Sequence, residues 1–205
     1  MLVATRSVHK LRELRELLHL EHGELVSLDQ LGIPGDPDED GSTFEANAAL
    51  KARFGARASG LATLADDSGL EVDALDGGPG IRTRRYAGER ASDEDNNRKL
   101  LAALDGLPPE RRGARYVCAL ALALPDRAGP RGGLDVILTR GTCRGRVATS
   151  PRGTGGFGYD PIFEPASEPP GGRTLGLWTP AEKHAISHRA GAARRMAPHL
   201  RACGF

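Results

Sequence analysis

An α/β fold is predicted by three features of this chain of 205 residues. Short apolar runs such as Leu2–Thr5, Leu61–Ala65 and Tyr116–Leu124 alternate with longer segments whose leucines recur every three or four residues, the periods of strand and helix respectively. Ser or Thr capping signals at Ser42, Ser92 and Thr179 open the longer segments, and Gly/Pro clusters separate the elements. Strands and helices in alternation build a sheet covered by helices. Hydrophobic residues make up 39% of the chain, adequate for a buried core, and no repeat or low-complexity tract interrupts it, so a single domain over residues 1–205 is expected.

The elements follow in order. Leu2–Thr5 reads as a short buried strand, and residues 8–20 as a helix with Leu11, Leu14, Leu17 and Leu18 on one face. Residues 24–28 suggest a second strand. The stretch 29–40 is acidic, and Pro34, Gly35 and Pro37 forbid regular structure there. Ser42 and Glu45 have capping-box spacing, so a helix runs through Lys51 and Arg57 and closes at Gly60. The strand Leu61–Ala65 ends at Asp66-Asp67-Ser68-Gly69, and residues 70–74 resume strand-like alternation before a glycine turn at 77–80. Ser92 caps a helix whose first turn carries Asp93, Glu94 and Asp95, complementing the helix dipole. Tyr116–Leu124 is apolar on both faces, as a central strand requires. Residues 134–138 and 142–148 suggest a hairpin around Gly141. A disordered loop is expected over 164–172, and Thr179-Pro180 with Glu182 starts a helix that runs to about Leu200.

Composition excludes several classes of function. The 27 acidic and 28 basic residues leave a net charge of +1 and are mixed along the chain, so polymeric nucleic acid is not the expected partner. No window reaches membrane-spanning length and Met1 leads directly into a strand-like segment, so no membrane association and a cytoplasmic location are expected. The three cysteines, Cys118, Cys143 and Cys203, form no C-x-x-C pair, and reduced structural thiols are the default. Only Lys10, Lys51, Lys99 and Lys183 are lysines; arginine fills the other cationic positions. A retained lysine suggests a need for a compact point charge, the form that suits a phosphate oxygen.

Chemistry concentrates in four segments. Residues 153–163 pack four glycines around Phe157 and continue through Tyr159 and Asp160. Such a backbone approaches a ligand closely, and the two rings offer faces for a planar base. The G-x-G-x-x-G spacing of Gly153, Gly155 and Gly158 is not a dinucleotide fingerprint, because Pro161 prevents the helix which that motif opens. Taken alone, the loop also reads as a glycine turn between strands. Asp66 and Asp67 at an expected strand end, with Glu39 in the acidic loop, suit Mg2+, which takes one or two carboxylates, waters and substrate phosphates. Alone, Asp66-Asp67-Ser68-Gly69 reads more readily as a turn than as a metal site. Residues 4–10 carry a strand into a helix, where free N–H groups and the dipole bind phosphate, and Thr5, Ser7 and Lys10 add donors. In residues 182–189, Lys183, His188 and Arg189 offer hydrogen-bond donors to ring oxygens. His184 and His188 at i, i+4 lack both the Glu of H-E-x-x-H and a third ligand, which argues against zinc.

Together these motifs resemble the inosine/xanthosine triphosphate pyrophosphatases, which hydrolyse non-standard purine nucleoside triphosphates (ITP, dITP, XTP) to monophosphate and pyrophosphate. The resemblance spans the chain in order. It is carried by residues 65–69, Gly77-Gly-Pro-Gly-Ile81 with Arg85-Tyr-Ala-Gly88, residues 153–163, and Ile186-Ser-His-Arg189. It implies a long mixed sheet flanked by helices, in two lobes with the active-site cleft between them, a homodimer, and Mg2+ as cofactor. It implies that Asp67 is the proton acceptor and a metal ligand, Glu39 the second metal ligand, that Thr5, Arg6, Ser7, Val8, His9, Lys10, Lys51 and Ser68 hold the triphosphate, and that Phe157, Gly158, Tyr159, Asp160, Lys183, His188 and Arg189 enclose the base. Two departures stand out. Ser7 replaces the Asn usual in the Thr-x-Asn-x-x-Lys opening, losing its amide. Thr43-Phe44-Glu45-Ala46-Asn47-Ala48 lacks the Glu that normally precedes the Asn, so the cap of that helix is expected to shift to Ser42.

Base choice has a physical argument. Hypoxanthine and xanthine present O6 as an acceptor where adenine presents an amino donor, so a donor-rich site rejects adenine; guanine shares O6 and must be excluded at C2. Two alternatives differ from this reading. A septum-inhibitor-like nucleotide pyrophosphatase shares the Ala-Thr-x-Ser opening but is opposed by the segments around Phe157 and His188. A nucleotide-binding regulator would bind without turnover.

Overall fold

The computed structural model describes residues 1–20, 22–37, 39–128 and 134–205. Among them a six-stranded sheet has the order β2-β1-β3-β4-β5-β6. The strands are β1 (Leu2–Val3), β2 (Val26–Ser27), β3 (Thr63–Val72), β4 (Gly113–Ala128), β5 (Leu134–Val147) and β6 (Phe163–Pro165). β1 runs parallel to both β2 and β3, while β6 runs antiparallel to β5, so the sheet is mixed. The helices are α1 (Val8–Leu17), α2 (Phe44–Ser59), α3 (Asp93–Ala103), α4 (Pro180–Ile186) and α5 (His188–Ala202). The α/β prediction therefore stands. By internal contacts the chain divides into two compact units, one of residues 1–67, 118–141 and 189–205, the other of 68–117 and 142–188.

In the first unit the register places side chains on two faces. Leu2 pairs with Thr63 and Val3 with Leu64. Val3 and Leu64 join Leu11 and Leu14 of α1, Leu120 and Leu122 of β4, and Ala192, Met196 and Leu200 of α5 in one core. Each fully buried leucine there contributes roughly 1.5–3 kcal/mol. The other face receives α2. A Cβ at Gly55 would stand 2.7 Å from Thr63 Cγ2 and 3.0 Å from Leu2 Cδ2, so glycine allows a close approach of helix to sheet that outweighs its cost of about 1 kcal/mol in a helix interior. In the second unit Leu70 and Val72 of β3, Leu100 and Leu104 of α3, Tyr116 of β4 and Phe163 of β6 form a separate core. α3 begins at the expected capping box of Ser92 and Asp95, and α4 at that of Thr179 and Glu182.

Five local expectations are corrected. β3 continues unbroken from Thr63 to Val72, so the two aspartates lie within a strand and not at its end; pairing of the strand overrides the turn propensity of Asp-Asp-Ser-Gly. β5 likewise runs straight through Gly141, and no hairpin forms there. The helix expected from Thr179 to Leu200 is two helices, because Ser187 takes extended backbone (φ −62, ψ 152) after Ile186, in keeping with the preference of serine for helix ends. Consequently Lys183 and Ser187, and His184 and His188, do not share one helical face. Thr43, not Ser42, caps α2 by accepting from the Ala46 N–H. Glu45 is then one residue too early to close a capping box and pairs with Arg140 at 2.9 Å. Lastly, the loop expected over 164–172 is organised around Glu164, which is 2% exposed, pairs with Arg152 and Arg146, and accepts from the Gly171 N–H.

Candidate active site

Strand alternation decides the fate of the paired aspartates. Asp66 falls on the face of Leu64, beneath α1 and α5; Asp67 falls on the face of Thr63, beneath α2. Lys10 of α1 reaches Asp66 Oδ1 at 2.7 Å. Arg189, near the start of α5, donates from Nε to Asp66 Oδ2 at 2.8 Å and also pairs with Glu13 of α1. The Cys118 thiol also donates to Oδ2, at 3.1 Å. Burial alone would raise the Asp66 pKa, but Arg189 and Lys10 outweigh it and hold the carboxyl well below the usual range.

Asp67 has a different environment. Lys51 Nζ lies 2.5 Å from Asp67 Oδ1 and 3.2 Å from Glu39 Oε1, so a single ammonium gathers the two carboxylates expected as metal ligands. Burial raises the Asp67 pKa above the ordinary carboxylate value against the pull of Lys51 and Lys10, and Glu39 adds to the rise. Burial opposes the charge of Lys51 too, yet Asp67 and Glu39 prevail and raise its pKa. Two adjacent residues thus yield one fixed anion and one carboxylate with a raised proton affinity. Among the described residues no group of three or more His, Cys, Asp or Glu side chains converges as a metal cage. Asp67 and Glu39, two hard oxygen donors drawn to one point, fit Mg2+, which binds through one or two carboxylates with the rest of its shell left to water and phosphate.

The opening segment supplies the helix N-terminus. Ser7 caps α1 by accepting from the Lys10 N–H at 3.3 Å, and the Thr5 hydroxyl accepts from the Ser7 N–H at 3.1 Å. Val8 and His9 are exposed. Arg6 is engaged elsewhere: it pairs with Asp29 and Asp36 and donates to the carbonyls of Ile33 and Gly35, fastening the acidic loop that leads to Glu39. Ser68 follows Asp67 in β3 and is half-buried.

The second unit assembles most of the residues expected around a base. Asp160 is 2% exposed. Its Oδ2 accepts from Lys183 Nζ at 2.7 Å and from the Phe157 N–H at 3.0 Å, and its Oδ1 accepts from the Tyr116 hydroxyl at 3.2 Å. The Lys183 ammonium stands 4.8 Å from the centroid of the Phe157 ring, a cation–π contact. Gly158 is tied to α3, donating its N–H to Asp93 at 2.7 Å and accepting from Asn97 at 3.1 Å. Tyr159 is corrected as a stacking surface: it is 3% exposed, packed in the core of its unit, with its hydroxyl donating to the Thr83 carbonyl. Burial pushes its phenol pKa up. His188 is buried and stacks on Tyr116, ring centroids 4.6 Å apart and planes 8° apart. Arg189, expected beside His188 at the base, lies in the first unit with Asp66 and Glu13.

Three participants were not anticipated. Glu13 lies three residues after Lys10 on α1, a spacing that puts a carboxylate on the same helical face as a lysine. Cys118 and Tyr116 sit in the central strand, where a sequence pattern registers only apolar burial. All three lysines of the singled-out segments, Lys10, Lys51 and Lys183, pair with a buried aspartate.

Comparison with known proteins adds to this geometry. A sequence model of the Ham1 family matches residues 1–199. The chain is 44% identical over 203 residues to the dITP/XTP pyrophosphatase of Corynebacterium diphtheriae, covering 97% of this chain and 95% of that one. It is 45% identical over 205 residues to the dITP/XTP pyrophosphatase of Nocardia farcinica, covering 98% and 95%. Among solved structures, the HAM1 protein from Coxiella burnetii is similar with a TM-score of 0.84, 39% identity and 98% of each chain covered. The nucleoside-triphosphatase, dITP/XTP pyrophosphatase, from Mycobacterium abscessus is similar with a TM-score of 0.75, 44% identity, and 96% of this chain and 98% of that chain covered.

Proposed function

The chain belongs to the Ham1 family, and on that premise we propose that it is a nucleoside-triphosphate pyrophosphatase that hydrolyses non-standard purine nucleotides, ITP, dITP and XTP, to the monophosphate and pyrophosphate. The observation that carries the reading is the separation of the two aspartates: Asp66 locked as an anion by Arg189 and Lys10, and Asp67 left with a raised pKa beside Lys51 and Glu39. A carboxylate of raised proton affinity among cations is suited to take a proton from water as that water attacks phosphorus.

In this mechanism Asp67 accepts the proton of the attacking water, the bond from the α-phosphorus to the bridging oxygen breaks, and pyrophosphate leaves. Lys10, Lys51, Ser68 and the N-terminus of α1, with Thr5 and Ser7, hold the phosphates, while Arg6 fixes the loop that carries Glu39. Asp67 and Glu39 would hold Mg2+, which when bound neutralises charge on the phosphates. Positioning and charge compensation are the main demands of phosphoryl transfer, and this set meets both.

Phe157, Gly158, Lys183 and His188 enclose the base, braced by Asp160. Lys183 and the backbone donate to O6, which adenine lacks, and leaving a buried donor unpaired costs about 1–3 kcal/mol. The enzyme acts as a cytoplasmic homodimer in this reading; no helix among the described residues is long and apolar enough to cross a membrane. The test separates turnover from binding. Asp67→Asn should lower kcat for ITP about a thousandfold while the variant still binds IMP. Unchanged turnover, or an unmutated protein that binds ITP without hydrolysing it, would replace the enzyme with a binding protein.

A further inference from the structure

We propose that Tyr116 is a positioning residue for the base side of the site, setting Asp160 through its hydroxyl and His188 through its ring. The inference rests on the pyrophosphatase reading and concerns a residue outside the motifs that suggested it. Tyr116 projects from β4 in the second unit and is 7% exposed. One face lies flat on His188, with centroids 4.6 Å apart and an 8° interplanar angle, and Phe163 braces it at 4.8 Å in a tilted contact. A ring so confined fixes the plane of the imidazole beside it.

The hydroxyl acts on a second group. It donates to Asp160 Oδ1 at 3.2 Å, leaving Oδ2 for Lys183 Nζ and the Phe157 N–H. Each oxygen of Asp160 then has its own donors, so rotation of the carboxylate is opposed at both ends. Burial and the neighbouring Asp160 charge keep the phenol pKa well above its ordinary value, so Tyr116 remains a donor throughout the working pH range. Removing the hydroxyl deprives Oδ1 of this donor and loosens the point to which Lys183 and the backbone of Phe157 are tied. Tyr116 itself contacts Asp160, His188 and Phe163, none of which is assigned to the phosphates. The consequence is an effect on the base alone.

Tyr116→Phe keeps the stack and deletes one hydroxyl. Its KM for ITP and its Kd for IMP should each rise about tenfold, with kcat changed less than twofold and the Kd for inorganic tripolyphosphate unchanged. Tyr116→Leu, which also removes the stacking face, should weaken IMP binding further while leaving tripolyphosphate binding intact. A merely structural tyrosine would give parallel losses for IMP and tripolyphosphate, or none for either, and both results overturn the proposal. If the unmutated protein neither binds IMP nor turns over ITP, the pyrophosphatase reading fails first, and the wild-type control makes that distinct.

Discussion

At the scale of single residues, the two aspartates of β3 predict opposite responses to the same chemical change. Asp66 is fully buried and held below the usual carboxylate range, so it contributes stability above its unfolded pKa and loses it as pH falls through the lower folded value. Asp66→Asn leaves Arg189 and Lys10 short of a buried partner and should cost about 3–5 kcal/mol. In the wild-type protein, the midpoint of thermal unfolding should hold steady near neutrality and fall below about pH 4. Asp67 has the reverse sign: its pKa is raised on folding, so its ionisation at neutral pH works against stability. Because Lys51 retains Glu39, Asp67→Asn should lower the melting temperature less than Asp66→Asn does. Parallel melting of the two variants by calorimetry decides the matter; equal destabilisation would mean that the two carboxylates share one role. The thiols give a further check. Cys143 is pushed up to about 11 by burial, with Asp160 adding to the rise, and burial raises Cys118 further above its ordinary value. A thiol-reactive disulfide at pH 8 should therefore label only Cys203 in the native protein and all three cysteines after denaturation.

At the scale of elements, what the sequence disclosed depended on how local the cause was. Caps formed by neighbouring side chains, Ser92 with Asp95 and Thr179 with Glu182, were legible. The continuity of β3 and β5 was not, because pairing with neighbouring strands overrides turn signals that are read one residue at a time. Glu13 of α1 was hidden for a related reason: it answers to Arg189, a partner distant along the chain. The glycine loop was recognised, but its inner wiring was not. Gly156 has φ +74, and a side chain there would run into the Asp160 carboxylate. Gly156→Ala should therefore strain the backbone and displace Asp160 together, raising KM for ITP severalfold while a loop distant from the base would leave it unchanged. Gly55→Val should lower the thermal midpoint by several degrees without altering KM, since α2 would be lifted from Thr63 and Leu2. A Gly55→Val protein of wild-type stability would contradict the close approach of α2 to the sheet.

At the scale of the molecule, the chain forms two units, each with its own hydrophobic core and its own charged cluster. The chemistry was more legible than the packing: Lys10, Lys51 and Lys183 stood out as three of only four lysines in a chain otherwise supplied with arginine, and each pairs with a buried aspartate. Tyr116 and Cys118 were invisible for the opposite reason, since a polar atom on a residue in an apolar strand leaves no periodic trace. The proposed division of labour, with the proton acceptor and all the phosphate contacts but Ser68 in the first unit and base recognition in the second, predicts selectivity that depends on the base and turnover that depends on the cation. The most direct test resolves the products formed from ITP, XTP, GTP and ATP by anion exchange, with Mg2+ and with a chelator. The account predicts IMP or XMP with equimolar pyrophosphate in the presence of Mg2+ only, GTP and ATP being nearly untouched. Stepwise release of single phosphates, equal hydrolysis of all four nucleotides, or full activity in chelator would contradict it.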